Sequence, residues 1–380
     1  MNISKADALR WFEFFSELED CDALPPRQQE IALATLSQIE AAEDARIDAL
    51  MAGIPGLKSL KGRTRYVGPD EKFPKGCRSC LLGTGLSAIR KTNRCNLQCP
   101  FCYDYGEMDC QPAIGEGYWE IGGTRFRERD FDLLLATHKH PTGIAYVYLE
   151  PFMEIEVYYE AIRRFHEAGI YQHMYTNGTL CTEANLRALG EAGLDELRFN
   201  LGASRCSDRV IDMIGVAKRC IPMVGIETPM TPEYHSLFLE KKERIFATGL
   251  DFMNCAELHL NPNNIENYWG EPMYMYRQGY LSPTWSHELT LDIMARADRE
   301  GWPIVVHDCC NRTKFARDLH LRAMEGGWFG SSAWHNEFSG ISAADGIPYA
   351  AFLPILRNEA FRFLKEEPLP EGYRPGDIVL

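Results

Sequence analysis

No apolar run in the sequence is long enough to cross a bilayer, which excludes a chain built on membrane-spanning helices. The opening residues MNISKADALRWFEFFSELED carry early acidic residues and no basic stretch leading into an apolar core. A secretory signal is therefore not expected, and the cytoplasm is the expected location. Basic charge is also scarce: 40 Lys and Arg stand against 54 Asp and Glu, for a formal net charge of −14. Nucleic-acid binding draws on clustered Lys and Arg, so DNA or tRNA is not an expected substrate, and neither is an anionic membrane surface. Internal repeats and low-complexity segments are lacking too.

Cysteine, by contrast, is abundant, with 13 residues in a chain of 380. In a small secreted protein this would suggest disulfides; in a large cytosolic one it points to metal or redox chemistry. Cys77, Cys80, Cys95, Cys99, Cys102 and Cys110 fall in one short stretch, and Cys309 and Cys310 are adjacent. Cys21, Cys181, Cys206, Cys220 and Cys255 are scattered and read as small buried hydrophobes.

Residues 5–53 read as two helices separated by Pro25-Pro26, and residues 58–75 as a basic, turn-rich linker. From about residue 84 strands and helices alternate. Strands are expected at 86–91, 143–151, 171–178, 195–202, 221–229 and 257–262, with helices at 154–168, 182–192, 208–218 and 235–248 between them. Such alternation indicates βαβ units, and right-handed crossovers would curl six of them into a partial barrel. The expected fold is α/β, a partial (β/α)6 TIM-like barrel with an N-terminal helical segment and a C-terminal extension. The expected segments are 1–62 (helical), 63–262 (barrel with the upstream CxxC) and 263–380 (extension). Active sites of such barrels lie at the C-terminal ends of the strands, which gathers the cysteines, Glu150, Asn177, Asn200, Glu227 and Asn261 around one opening. Residues 261–285, rich in Asn, Tyr and Trp, break the period. They are candidates for a lid or for aromatic walls, with Tyr268, Trp269, Tyr274, Tyr276 and Tyr280 foremost. A surface loop packed on the barrel is the alternative.

The chemistry centres on Cys95-Asn-Leu-Gln-Cys99-Pro-Phe-Cys102, a C-x3-C-x2-C spacing that follows a strand. Three thiolates on a tight loop can ligate three irons of a [4Fe–4S] cluster and leave the fourth open to an outside ligand.

This loop, with the aromatic Phe101 before its last cysteine, resembles the signature of the radical S-adenosylmethionine (SAM) superfamily, and the likeness covers about residues 84–262. The region GCRSCLLGTGLSAIRKTNRCNLQCPFCY also resembles a subgroup in which a CxxC precedes the first strand. The resemblance implies an enzyme that cleaves SAM reductively at a [4Fe–4S] cluster held by Cys95, Cys99 and Cys102. The product is a 5′-deoxyadenosyl radical that abstracts hydrogen from a substrate. It further implies that the backbone around Phe101 and Tyr103 contacts the adenine, and that Glu150 accepts the methionine amino group. In the family a Gly-Gly-Glu-Pro stretch does this; here the same place reads Tyr148-Leu149-Glu150-Pro151, without the glycines. Asn177, Asn200 and Glu227 fall where further cofactor contacts occur, although Asn177-Gly178 is also a strong turn pair.

Cys77, Cys80, Cys309 and Cys310 supply four thiols, enough for a second iron–sulfur cluster, with His307 or Cys110 as alternates. Vicinal cysteines fit poorly on one cluster, so one of the pair could be idle. A different class stays open: Cys77-x2-Cys80 and Cys99-x2-Cys102 also fit a paired-CxxC zinc module in a structural or interaction protein, though that leaves Cys95 without a role. A ferredoxin-like carrier would need four ligands per cluster and no SAM pocket. For the enzyme, a small-molecule or peptide substrate and an electron donor such as flavodoxin or ferredoxin are the expected partners. A tRNA-modifying enzyme is the alternative, resting on Lys58, Lys61, Arg63 and Arg65.

Overall fold

The computed structural model describes residues 26–314, apart from 61, 63, 83–84, 107–113, 115–116, 122–123, 128–142, 148, 262, 269–270 and 277–279. The first expected N-terminal helix, Cys21, Cys110, Trp269 and the tail from 315 onward lie outside the described residues. Thirteen strands are described: β1 (Lys58–Leu60), β2 (Thr64–Val67), β3 (Gly85–Arg90), β4 (Tyr118–Ile121), β5 (Thr124–Arg127), β6 (Gly143–Tyr146), β7 (Tyr171–Thr176), β8 (Glu196–Phe199), β9 (Met223–Pro229), β10 (Phe252–Ala256), β11 (Met273–Tyr276), β12 (Tyr280–Pro283) and β13 (Val305–Cys309). The helices are α1 (Pro26–Ala52), α2 (Lys75–Leu82), α3 (Tyr159–Glu167), α4 (Glu183–Ala192), α5 (Asp208–Lys218), α6 (Pro232–Ala247) and α7 (Thr284–Glu300).

Eleven strands form one sheet in the order β1-β2-β13-β10-β9-β8-β7-β6-β3-β4-β5. The run from β3 through β6, β7, β8, β9 and β10 to β13 is parallel throughout. Five of the six expected barrel strands are therefore present, β10 stands in the place of the sixth, and β13 extends the run as a seventh. Antiparallel hairpins flank the run, β1–β2 beside β13 and β4–β5 beside β3. Residues 58–67, expected as linker, are the first of these hairpins, and its sheet position is set by Val67 and Tyr66 pairing with Val306 and His307. The strand expected at 257–262 instead runs from Phe252 to Ala256, and beyond it only Leu260 bridges to Leu281.

Local chemistry accounts for the crossovers. Thr182 and Asn185 form a reciprocal cap at the start of α4, Ser207 caps α5, and Thr231 caps α6 just before Pro232. The outward faces of the strands and the inner faces of the helices share one apolar core that includes Ile144, Met174, Leu197, Val224, Ile226, Met253 and Val306. Alternation sends the intervening residues into the barrel lumen.

The lower lumen is filled by α2. It can lie there because of Gly76: a Cβ at that position would come within 2.7 Å of both Arg198 Nη2 and His173 Nδ1. Beneath it Arg198, almost fully buried, donates from Nε to Glu196 Oε1 at 2.5 Å and from Nη1 to the Tyr175 hydroxyl at 2.9 Å, and it also pairs with Glu227. Two carboxylates in the lumen thus depend on one guanidinium. Removing one partner of a buried ion network leaves uncompensated charge, which costs about 3–5 kcal/mol. Arg198→Met should lower the stability of the apo-protein by that amount in urea titrations, whereas a loss under about 1 kcal/mol would mean that the lumen network does not bear on folding.

Candidate active site

The three motif cysteines lie on the irregular segment after β3, at the C-terminal mouth of the parallel run. Cys95, Cys99 and Cys102 are free thiols and half-buried. Burial, then the nearness of Cys102 and Cys95, pushes the Cys99 thiol up to about 12. Burial likewise pushes Cys102 up to about 11 and raises Cys95. Three crowded thiols of this kind cannot all ionise unless a cation compensates them, and bound iron is such a cation.

The loop is tied down from two sides. On one side stands Glu150, fully buried just after β6. Its amide donates to Arg94 O at 3.0 Å, at the base of the cysteine loop. Its Oε1 accepts from Phe152 N at 3.1 Å and Thr176 Oγ1 at 2.7 Å, and its Oε2 accepts from Asn177 N at 2.6 Å. Burial, only partly offset by these donors, pushes the carboxyl up to about 7. The backbone that brings Glu150 into place has Leu149 at φ 58°, a left-handed conformation held by a leucine where the family pattern has glycine. Such a residue costs of order 1–2 kcal/mol. Asn177, one residue past β7, directs Nδ2 to Asn96 Oδ1 at 2.9 Å and toward Cys95 Sγ at 4.0 Å. Its Oδ1 accepts from the Thr179 amide and hydroxyl.

On the other side is the Asn-rich segment after β10. Asn261 and Asn263 donate from Nδ2 to Tyr103 O at 2.8 and 3.1 Å. Asn264 reaches Phe101 O at 3.4 Å, and Asn267 reaches Pro100 O at 2.9 Å. Four asparagine side chains thus satisfy main-chain carbonyls of a loop that has few internal hydrogen bonds. In place of the expected lid, wall or surface loop, Asn261, Asn263, Asn264 and Asn267 work as a clamp. The repeated Asn in NPNNIEN was the signal, because a side-chain amide can replace a missing ladder donor.

Beside the loop lies a cavity of about 440 Å³, lined by Cys99 and Phe101, by Gly202 and Ala203 after β8, and by Asn267 and Tyr268. Asn200, just past β8, does not line the cavity but accepts from the amide of the lining residue Ala203 at 3.0 Å. Tyr103 is exposed and stacks on His259 at 5.8 Å between centroids. Glu227 lies deeper in the lumen, paired with Arg198. Tyr274 and Tyr276 are buried in the β11–β12 hairpin.

The remaining cysteines divide. Cys77 and Cys80 ride on α2, Cys77 buried among Tyr66, Phe73 and Leu81. Cys309 ends β13 on the lumen side, where Cys77 and Cys80 are its charge neighbours. Cys310 turns to the opposite face, beside Glu257 and His287. Both nitrogens of His307 are engaged, by Thr64 Oγ1 at 2.8 Å and by Asn254 Oδ1 at 2.5 Å. The zinc module imagined for Cys77, Cys80, Cys99 and Cys102 does not form, because α2 sits in the lumen and the motif loop at the rim. Among the described residues, the only three ligand-capable groups within 4.8 Å of one another are Glu257, His287 and Cys310.

Comparison with known proteins agrees with this geometry. Residues 89–222 match the profile of the radical SAM superfamily. Over that stretch the chain is similar to members of that superfamily. It is 26% identical over 204 residues to a Methanocaldococcus jannaschii protein provisionally named a glycyl-radical enzyme activating enzyme, covering 51% of this chain and 52% of that one. It is 24% identical over 202 residues to the tungsten-containing aldehyde ferredoxin oxidoreductase cofactor-modifying protein of Pyrococcus furiosus, covering 46% and 52%. The chain thus matches about half the length of these relatives. Among solved structures, Streptococcus suis SuiB superposes with a TM-score of 0.44 at 12% identity, over 61% of this chain and 50% of that one.

The asparagine clamp generates a direct test. Losing one donor to a buried carbonyl costs about 1–3 kcal/mol. Asn264→Ala should lower the iron retained after anaerobic reconstitution and desalting, with the far-ultraviolet dichroism unchanged. Retention equal to wild type would show that the clamp does not hold the loop.

Proposed function

We propose that this protein reductively cleaves SAM and uses the resulting radical to take hydrogen from a small-molecule or peptide substrate. The observation that carries this reading is the clamped loop, which presents Cys95, Cys99 and Cys102 at the mouth of a parallel barrel beside an open cavity. When bound, a [4Fe–4S] cluster reduced by a flavodoxin- or ferredoxin-type donor supplies one electron to the sulfonium, giving methionine and a 5′-deoxyadenosyl radical.

The chain's own residues do the rest. Cys95, Cys99 and Cys102 hold iron through three thiolates. Asn177 places an amide donor near Cys95, a contact of the kind that tunes cluster potential. The cavity beside Phe101 falls within the usual 300–1,000 Å³ range of small-molecule pockets. It is the proposed place of the nucleotide, with Phe101 in its lining, Asn200 holding the Ala203 amide of that lining, and Tyr103 on the same loop. Glu150 has its three protein donors and one carboxylate oxygen with spare capacity. It fixes the loop and remains the proposed acceptor for the methionine amino group.

A second iron–sulfur cluster would draw on Cys77, Cys80 and Cys309, which share the lumen; Cys310 faces away from it. The names of the two relatives, one an activating enzyme of a glycyl-radical enzyme and the other a cofactor-modifying protein, are in keeping with a peptide or a small-molecule substrate respectively. Of the four residues behind the tRNA alternative, Lys58 is paired with Asp70 at 2.6 Å and Arg65 donates to Ser59 at 2.6 Å, while Lys61 and Arg63 lie outside the described residues. No helix among the described residues is long and apolar enough to cross a membrane.

Anaerobic reconstitution with iron, sulfide, dithionite and SAM should yield 5′-deoxyadenosine. The Cys95→Ala, Cys99→Ala, Cys102→Ala triple variant should yield none. Undiminished product from that variant would overturn the assignment of the three ligands.

A further inference from the structure

On the outer side of the sheet three buried side chains from distant parts of the chain meet. Glu257 follows β10, His287 lies in the first turn of α7, and Cys310 follows β13. One ligand-capable atom from each lies within 4.8 Å of the other two. We propose that Glu257, His287 and Cys310 form a mononuclear site for a zinc-like divalent cation, separate from any iron–sulfur centre.

The donor set is the first argument. One thiolate, one imidazole and one carboxylate are the ligands zinc takes, and the mixture of sulfur with nitrogen and oxygen disfavours both magnesium and an iron–sulfur cluster. A tetrahedral zinc with ordinary bond lengths holds its ligand atoms about 3.4–3.8 Å apart, so the three need only a small contraction.

The shell around them is the second. Asp308 Oδ2 lies 3.0 Å from His287 Nε2, the carboxylate–imidazole pairing that orients metal-bound histidines. Glu257 is fixed at both oxygens, with Tyr274 donating its hydroxyl to Oε1 and the Asn311 amide donating to Oε2 at 2.7 Å. Asn311 in turn donates from Nδ2 to Ser282 Oγ at 2.9 Å.

Unmet electrostatic demand is the third. Asp308 Oδ1 and Asn311 Oδ1 are buried oxygens with no hydrogen-bond partner. Among the described residues no Lys or Arg side chain hydrogen-bonds to the Glu257 or Asp308 carboxylate; Lys314 reaches only the Glu257 main-chain oxygen, at 3.2 Å. Two buried carboxylates and a thiol beside a single imidazole are short of positive charge. A divalent ion would supply it and would pin the end of β10, the start of α7 and the end of β13 together. Ligands this enclosed suit a structural ion.

The site also explains the vicinal cysteines. Neighbouring residues at a strand end point to opposite faces, so Cys309 serves the lumen and Cys310 the outer layer.

The test uses the full chain, purified anaerobically after growth with added zinc and quantified for zinc and iron. About one zinc per chain is expected, and X-ray absorption at the zinc edge should show one sulfur with nitrogen and oxygen neighbours. Cys310→Ser, His287→Gln and Glu257→Gln should each weaken zinc binding by about tenfold or more with iron unchanged, while Cys309→Ser keeps its zinc. If a variant fails to fold, the absorption spectrum of the wild type still decides. A wild type without zinc, or zinc surrounded by three or four sulfurs, would overturn the site. Because iron is counted separately, failure here is distinct from failure of the SAM assignment.

Discussion

A loop that is to lend three sulfurs to iron gives up its own regular hydrogen bonds, and the asparagine segment and Glu150 restore them. The carbonyls of Pro100, Phe101 and Tyr103 would otherwise face the protein without donors. Asparagines 261, 263, 264 and 267 provide those donors from one flank. From the other, Glu150 joins the loop base at Arg94 to the ends of β6 and β7. The sulfurs are therefore held by the barrel rather than by a self-supporting turn. Such preorganisation is what a cluster with one open iron requires, since a loose loop would let that iron gain a further ligand or be lost.

Strain at Leu149 follows from the same constraint. The superfamily pattern places glycine before the Glu-Pro pair, and here leucine stands there at a positive φ. Leucine takes up a conformation that glycine adopts more easily, and the buried hydrogen bonds of Glu150 supply the compensation. The requirement lies in where the carboxylate must arrive.

Much of this was legible beforehand. The cysteine spacing, the strand before it and the order of βα units can be read directly because each is a local pattern. Glu150, Asn177 and Asn200 were placed at strand ends, and they are found there. What was not legible depends on partners remote in sequence. The hairpin at 58–67 looks like linker until β13 pairs with it. The apolar pattern points to residues 257–262 rather than to β10 because the inward Asn254 breaks the run at 252–256, while His307 satisfies that asparagine across the sheet. Likewise, strand alternation separates Cys309 from Cys310 but does not say which of them faces the lumen, and no spacing rule brings His287 to Glu257. Those contacts follow from the register of β10 and β13 and from the docking of α7.

The central claim is that Cys95, Cys99 and Cys102 hold one cluster whose fourth iron is open to SAM. Electron paramagnetic resonance of the anaerobically reduced protein tests it most directly. A reduced [4Fe–4S] signal that changes its g values when SAM is added is the predicted result. A signal unchanged by saturating SAM, or a protein that takes up no iron at all, would contradict the account.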